Sequence, residues 1–302
     1  MTQRYSTITC PVTGGDLTAA IWEPESSPLG TILLIHGITA SHMSWPLIAA
    51  AFPQHRVIAP DLRGRGGSRS LPSPFGMPQH ADDMNALLDA TGTESAFVVG
   101  HSMGGFVAAT FAAHYPDRVT GLVLIDGGLP IPAPEGTSRE ELPQVILGPA
   151  AERLSMTFPD RETYQQFWAK HPAFAGHVTQ AIRDYVDYDL VGTEPVLRPS
   201  SNIAAVSFDA LQLSGDTRYR AALGELRMPV HFIRAPRGLL NQIPALYSPE
   251  QCEEWRSELP HVTFHEAPDV NHYTITLAER GADFVASVIT EHMANQPREV
   301  KA

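Results

Sequence analysis

Short apolar runs alternate along this chain with segments in which apolar residues recur at the spacing of a helix. Such runs are typical of strands buried on both faces, and they occur at residues 31–35, 56–59, 96–99, 119–125 and 230–235. A further strand-like segment lies at residues 262–265, and helical spacing marks residues 78–90, 106–115 and 277–293. Strands that alternate with helices predict an α/β fold with a mostly parallel, doubly wound sheet.

This alternation begins with a hairpin and is interrupted once. A hairpin is predicted over residues 5–22, with its turn at Thr13-Gly14-Gly15-Asp16. From residue 128 to residue 215 the chain becomes helical and rich in loops. In open α/β sheets, ligands bind at the carboxyl ends of the strands. We therefore predict a core domain of residues 1–127 and 216–302, with a helical cap (lid) of residues 128–215 inserted after the sixth strand at that edge.

Composition and charge exclude several classes of protein. Hydrophobic residues make up 43% of the chain and charged residues 18%, an ordinary globular balance. The net charge of −12 disfavours nucleic acid and anionic membranes as partners. The sequence has no apolar signal core and no apolar run of membrane-spanning length, so we expect a cytoplasmic protein. Cys10 and Cys252 are too few for a disulfide framework or a zinc site, and no metal or cofactor is expected.

Candidate chemistry is most visible at Gly100-His101-Ser102-Met103-Gly104, which lies between a predicted strand and a predicted helix. A serine on such a sharp turn exposes its hydroxyl above the sheet, and small residues two positions away relieve the crowding. The N–H groups at the start of the following helix favour negative charge at the same point. The motif therefore predicts a nucleophile elbow at Ser102; the alternative is a tight turn with an inactive serine.

Four motifs together resemble those of the α/β-hydrolase superfamily. They are His36-Gly37 after one strand, Asp61-Leu62-Arg63-Gly64 after the next, the Gly-His-Ser-Met-Gly-Gly elbow, and Asn271-His272 near the end of the chain. The resemblance covers residues 1–128 and about 216–295, while the middle segment corresponds only in its placement as a cap. It implies an α/β-hydrolase fold with a serine nucleophile.

The resemblance also implies roles for particular residues. Ser102 is the expected nucleophile, and because a serine hydroxyl is weak it requires an adjacent base. His272 is the expected base, since it lies in the loop after the last predicted strand. The backbone N–H groups of Ile38 and Met103 are expected to form the oxyanion hole. His101 adjoins the elbow and is expected to pack or to bond to backbone instead.

The acid of the triad is less obvious than the serine and the histidine. Residues 228–249, around the predicted seventh strand, contain no Asp or Glu, although much of the superfamily places its acid there. Asp126 ends the sixth strand beside the elbow strand and keeps the order serine, acid, histidine. We therefore predict Asp126 as the acid. Asn241, Asp269 and an incomplete triad stay open, as does a purely structural role for Asp126.

Substrate contacts are expected from both the core and the cap. Gly37 and Leu129 follow core strands, and Trp168 and Tyr188 are aromatic residues of the cap. A covered, apolar pocket for a neutral or aromatic ester follows from such a cap.

The leading functional interpretation is a carboxylic ester hydrolase or lactonase that works through an acyl-enzyme on a small-molecule ester or lactone. Ser102 argues against the haloalkane dehalogenase and epoxide hydrolase branches, which resemble this chain but attack with a carboxylate at the elbow. A carbon–carbon bond hydrolase of ring-cleavage diketones is the enzymatic alternative. A receptor-like relative that binds a ligand without turnover is the alternative from a different class.

Overall fold

The computed structural model of the protein describes residues 4–131, 148–175 and 177–294. Its strands are β1 (Arg4–Val12), β2 (Gly15–Glu23), β3 (Thr31–Ile35), β4 (Arg56–Pro60), β5 (Ala96–His101), β6 (Val119–Ile125), β7 (Leu190–Thr193), β8 (Val196–Pro199), β9 (Val230–Arg234) and β10 (Val262–Glu266). Its α-helices are α1 (Pro46–Ala50), α2 (Met77–Ala90), α3 (Met103–His114), α4 (Pro149–Ser155), α5 (Arg161–Ala169), α6 (Gln180–Tyr188), α7 (Ile203–Ala210), α8 (Thr217–Gly224), α9 (Pro249–Glu258), α10 (Thr274–Leu277) and α11 (Glu279–Ala294). None of these helices is long and apolar enough to cross a membrane.

Eight strands form one sheet in the order β1-β2-β4-β3-β5-β6-β9-β10. The pairs β1–β2 and β2–β4 are antiparallel, and every other neighbouring pair is parallel. The predicted hairpin is β1–β2, with Gly14 and Gly15 at positive φ angles of 91° and 149°. The predicted α/β fold with a mostly parallel, doubly wound sheet is therefore confirmed.

Helices cover both faces of the sheet because its central strands are apolar on both sides. Along β3, Leu33 and Ile35 pack into one core cluster, with side chains of α2, α3, α8 and α9. Ile32 and Leu34 alternate with them and pack into the other cluster, with side chains of α1 and α11. Successive residues of a strand point to opposite faces, so one apolar run supplies both cores. This is why the strands appear in the sequence as continuous apolar runs.

The chain between β6 and β9 builds a separate cluster above the carboxyl edge of the sheet. Its aromatic core includes Phe158, Tyr164, Trp168, Phe174 and Tyr185. Helices α4 to α7 occur here, together with the antiparallel hairpin β7–β8. The sequence pattern did not predict this hairpin, because its strands have only four residues each and half-exposed surfaces.

Candidate active site

The elbow geometry of Ser102 depends on its glycine neighbours. Ser102 has φ 55° and lies directly between β5 and α3. A Cβ atom on Gly100 would lie 2.1 Å from the carbonyl oxygen of Gly104, and one on Gly104 would lie 2.0 Å from that of Ile35. No side chain fits at either position. The glycines therefore allow the strand and helix to approach closely enough to hold the serine in this strained, left-handed conformation.

Asp126 and His272 form a hydrogen-bonded pair. Asp126 Oδ2 lies 2.7 Å from His272 Nδ1, and both side chains are buried. Asp126 follows the end of β6 with φ 42°, and its other oxygen accepts a hydrogen bond from Ala235 N–H at 3.1 Å. A carboxylate at this nitrogen holds the proton on Nδ1 and leaves Nε2 able to accept one. The structure thus brings together the predicted acid and the predicted base.

The two other candidates for the acid lie elsewhere. Asn241 Oδ1 accepts hydrogen bonds from Arg237 Nε at 2.7 Å and from Asn271 Nδ2 at 3.1 Å. Asp269 is exposed and pairs with Arg237 and Arg280 at 2.7 and 2.9 Å. The Arg237 hydrogen bond and charge lower the pKa of the Asp269 carboxyl. These contacts engage both side chains away from the His272 imidazole.

Ser102 and His272 line one cavity beneath the segment that follows β6. Its described lining comprises Gly37, Ile38, Thr39, Ala40, Ser44, His101, Ser102, Ile131, Ala150, Tyr185, Leu213, Leu239, Leu246, His272, Tyr273, Thr276 and Leu277. Within the described ranges, no Asp, Glu, Lys or Arg side chain lines this space. Burial raises the pKa of the Tyr185 and Tyr273 hydroxyls, which keeps both protonated. The described part of the lining is therefore largely apolar, with a few hydroxyl groups and two histidines.

The proposed oxyanion-hole residues flank the serine. Met103 is the first residue of α3, so its N–H has no acceptor within the helix. Gly37 passes so close that a Cβ on it would lie 3.2 Å from Ser102 Cβ, which brings the following residue, Ile38, to the rim of the cavity. Two backbone segments therefore border the point where the oxygen of a carbonyl group would lie if Ser102 attacked the carbon of that group.

The two histidines beside the site hold the backbone, as expected for His101. Its Nε2 donates to the carbonyl oxygen of His272 at 2.9 Å. His36 Nδ1 donates to the carbonyl oxygen of Gly37 at 2.7 Å, and its Nε2 accepts from Leu62 N–H at 2.9 Å. Burial lowers the pKa of His101, and it lowers that of His36 to about 4. Both rings are therefore neutral and fix the loops around Ser102.

Three of the four predicted substrate contacts lie outside the described lining of this cavity, and only Gly37 is part of it. Trp168 packs inside the aromatic cluster and borders a neighbouring chamber. Tyr188 donates its hydroxyl proton to Asp61 Oδ2 at 2.6 Å. Leu129 is buried, and its carbonyl oxygen accepts from Tyr247. The described lining of this cavity therefore does not include Trp168, Tyr188 or Leu129, and their role as substrate contacts stays a prediction.

Several other residues line the cavity and were not predicted from the sequence. Tyr273 directly follows the predicted base, and Tyr185 lies three residues before Tyr188 on helix α6. Leu239 and Leu246 come from the loop after β9. Adjacency to His272 was the one available signal, and it points to Tyr273 alone. The position of Tyr185 depends on how the segment after β6 folds, and the positions of Leu239 and Leu246 depend on the path of the loop after β9.

Comparison with known proteins agrees with this geometry. A family profile described as the alpha/beta hydrolase fold matches residues 30–277. The chain belongs to the α/β-hydrolase family. It is similar to epoxide hydrolase B of Mycobacterium tuberculosis, with 31% identity over 195 residues, 62% of this chain and 52% of that protein.

Lipase LipV of the same organism is 38% identical over 116 residues, which cover 38% of this chain and 43% of the lipase. The chain thus spans about half the length of these curated relatives. Among solved structures, that of E-2-(acetamidomethylene)succinate hydrolase superposes with a TM-score of 0.77 at 23% identity, covering 96% of this chain and 100% of that one. At this identity the similarity supports the fold alone.

Proposed function

We propose that this α/β-hydrolase is a serine hydrolase that cleaves a carboxylic ester or lactone through an acyl-enzyme. The observation that carries the proposal is the arrangement around one cavity. Ser102 on its strained turn and His272 line the same space, and the Asp126 carboxylate holds the other nitrogen of His272 at 2.7 Å. Nucleophile, base and orienting acid are the groups that acyl transfer requires.

In the proposed mechanism, Ser102 Oγ attacks the substrate carbonyl carbon while its proton passes to His272 Nε2. Asp126 stabilises the imidazolium that forms. The carbonyl oxygen becomes an oxyanion and accepts hydrogen bonds from the N–H groups of Ile38 and Met103. Collapse of this intermediate breaks the carbon–oxygen bond, and the leaving alkoxide takes the proton from His272. Water, deprotonated by His272, then attacks the acyl-enzyme and releases the acid and Ser102. A lactone gives one ring-opened hydroxy acid.

The lining supports an uncharged substrate. Burying an ionised group without a partner is costly, and the described lining offers none. Leu213, Leu239, Leu246 and Leu277 supply an apolar surface suited to an acyl chain or ring. The name of the lipase relative is compatible with ester cleavage. The name of the epoxide hydrolase relative is less so, because position 102 here is a serine and not a carboxylate.

The experiment combines covalent labelling with a substrate panel. Uncharged chromogenic esters, lactones and ring-cleavage diketones are offered without added metal, and sustained turnover of the esters or lactones is expected. A serine-directed phosphonate should abolish activity and add one adduct, which peptide mapping should place on Ser102. Ser102→Ala should neither turn over nor label. Labelling elsewhere, turnover of diketones alone, or a single turnover without a steady state would contradict the proposal.

A further inference from the structure

A second buried charge pair lies beside the site without being part of the triad. Arg65 Nη1 donates to Asp209 Oδ2 at 2.6 Å, and neither side chain is exposed to solvent. Removing both charges from water costs so much that a buried pair is weak evidence of stabilisation. The other contacts of Arg65 indicate instead that the pair positions neighbouring backbone.

The Arg65 guanidinium contacts both residues that border the proposed oxyanion hole. Its Nε donates to the carbonyl oxygen of Ile38 at 2.8 Å, and its Nη2 contacts the Met103 sulfur at 3.8 Å. Nη1 also donates to the carbonyl oxygen of Arg63 at 2.8 Å. A guanidinium is planar, so these contacts are fixed relative to one another. One rigid group thus connects the loop after β3 to the first residue of α3.

Asp209 anchors that group from the opposite side. It lies on α7, near the end of the segment between β6 and β9, and it also accepts from Gly76 N–H at 2.8 Å and from His80 Nε2 at 3.0 Å. Burial alone would raise the pKa of this carboxyl, but Arg65 and His80 bring it to about 2. The carboxylate is therefore charged at neutral pH and holds Arg65 in a single orientation.

We infer that Arg65 is a positioning residue for the oxyanion hole and that Asp209 couples this hole to helix α7. The inference rests on the proposed function. Arg65 restrains Ile38 through its carbonyl group, so that the N–H of the same residue stays aimed at the developing oxyanion. The hole is complete only when α7 is docked on the core. Arg65 touches no reacting atom.

Arg63 provides a matched control within the same loop. It is also fully buried, and its Nε and Nη2 donate to Asp83 at 2.9 and 2.7 Å. Its third partner is the carbonyl oxygen of Pro72, so its described hydrogen bonds avoid Ile38 and Met103. Arg65→Lys and Arg63→Lys each replace a buried fork with a flexible ammonium, and they differ in whether the fork holds the proposed oxyanion hole.

The test measures kcat, KM and the affinity for a trifluoromethyl ketone, which forms a tetrahedral oxyanion on the serine. Since a misplacement of about 1 Å costs roughly 10²-fold in rate, Arg65→Lys should lower kcat by about that factor with KM little changed. Affinity for the ketone should fall in parallel with kcat/KM. Arg63→Lys should keep both values near wild type per folded molecule, as judged by circular dichroism and gel filtration.

A second pair of variants keeps the inference testable if either lysine variant does not fold. Asp209→Asn retains the shape of its side chain. Gly76 N–H requires the amide oxygen, so the NH₂ group replaces the oxygen that accepts from Arg65, and kcat and ketone affinity should fall together by about 10-fold. Asp83→Asn is its control and should change neither. Equal losses in the Arg65 and Arg63 variants, or ketone affinity unchanged in Asp209→Asn, would overturn the inference. Wild-type protein without esterase or lactonase activity would instead overturn the proposed function.

Discussion

Replacing Asp126 with Asn is the sharpest single test of the proposed triad. Asp126 Oδ1 accepts from Ala235 N–H at 3.1 Å, and Oδ2 faces His272 Nδ1 at 2.7 Å. An amide has one oxygen and one NH₂ group. The backbone N–H of Ala235 requires the oxygen, so the NH₂ group will take the place of Oδ2.

This orientation determines the effect on His272. An NH₂ group facing Nδ1 requires that nitrogen to be an acceptor, which moves the ring proton to Nε2. The Nε2 atom can then no longer take the proton of Ser102. In the serine-protease template, the same substitution costs about 10⁴ in kcat through the wrong tautomer. We expect a similar loss here, equivalent to about 5.4 kcal/mol of transition-state stabilisation.

The assay is steady-state hydrolysis of the best ester or lactone found in the panel, at neutral pH and normalised to folded protein. Because the substitution nearly preserves shape, KM and the thermal unfolding temperature should change little. Asn241→Ala and Asp269→Asn are the controls. Both side chains bond to Arg237 rather than to the His272 imidazole, so each should cost less than about 10-fold.

The outcomes discriminate between the candidates. Near-normal turnover by folded Asp126→Asn would reduce Asp126 to a structural carboxylate at the end of β6 and refute the tautomer argument. A larger loss in Asn241→Ala or Asp269→Asn than in Asp126→Asn would transfer the role to that residue. A large rise in KM with unchanged kcat would show that the substitution affects binding and not the chemical step.

Two further predictions concern stability and packing. Burial and two neighbouring histidines lower the pKa of the buried His292 imidazole to about 4, so stability should be lost as pH falls below 6.5, by up to about 2 kcal/mol at pH 5. Urea unfolding measures the free energy of unfolding at pH 7.5 and at pH 5, and the two values should differ less in His292→Leu than in wild type. An equal difference in both proteins would contradict this prediction. A Cβ on Gly127 would lie 2.1 Å from the carbonyl oxygen of Ser102, so Gly127→Ala should abolish activity and lower Tm. Gly224→Ala meets no atom within 4 Å and should do neither, and equal effects would refute the packing argument.

Much of the fold could be predicted because its signals are local. The strands β3, β5 and β6 are buried on both faces, so nearly all of their residues are apolar and the strands appear in the sequence as continuous apolar runs. The elbow is visible because close backbone approach at Gly100 and Gly104 admits no side chain. Asp126 could be predicted as the partner of His272 because residues 228–249 contain no carboxylate. Its catalytic role remains a prediction.

What could not be predicted depends on contacts between distant parts of the chain. Tyr185 and Tyr188 lie three positions apart on helix α6, yet only Tyr185 is part of the described cavity lining, whereas the Tyr188 hydroxyl donates to Asp61. The hydrogen bond between Arg65 and Asp209 spans 144 positions, and no periodicity relates them. Which side chains pair across such a separation in sequence is determined only by the folded structure.

The placement of Asp126 directly after β6 has a consequence for how the pocket could change. The loop after β9 supplies Leu239 and Leu246 to the cavity, but it holds the acid–base pair through backbone groups. These are the N–H of Ala235, which donates to Asp126, and the carbonyl oxygen of Arg237, which accepts from His272 N–H at 3.1 Å. Those two leucines can therefore vary in size and polarity while the orientation of His272 stays the same. Evolution or a mutant library could reshape the pocket wall there without changing the residues proposed to perform the chemistry.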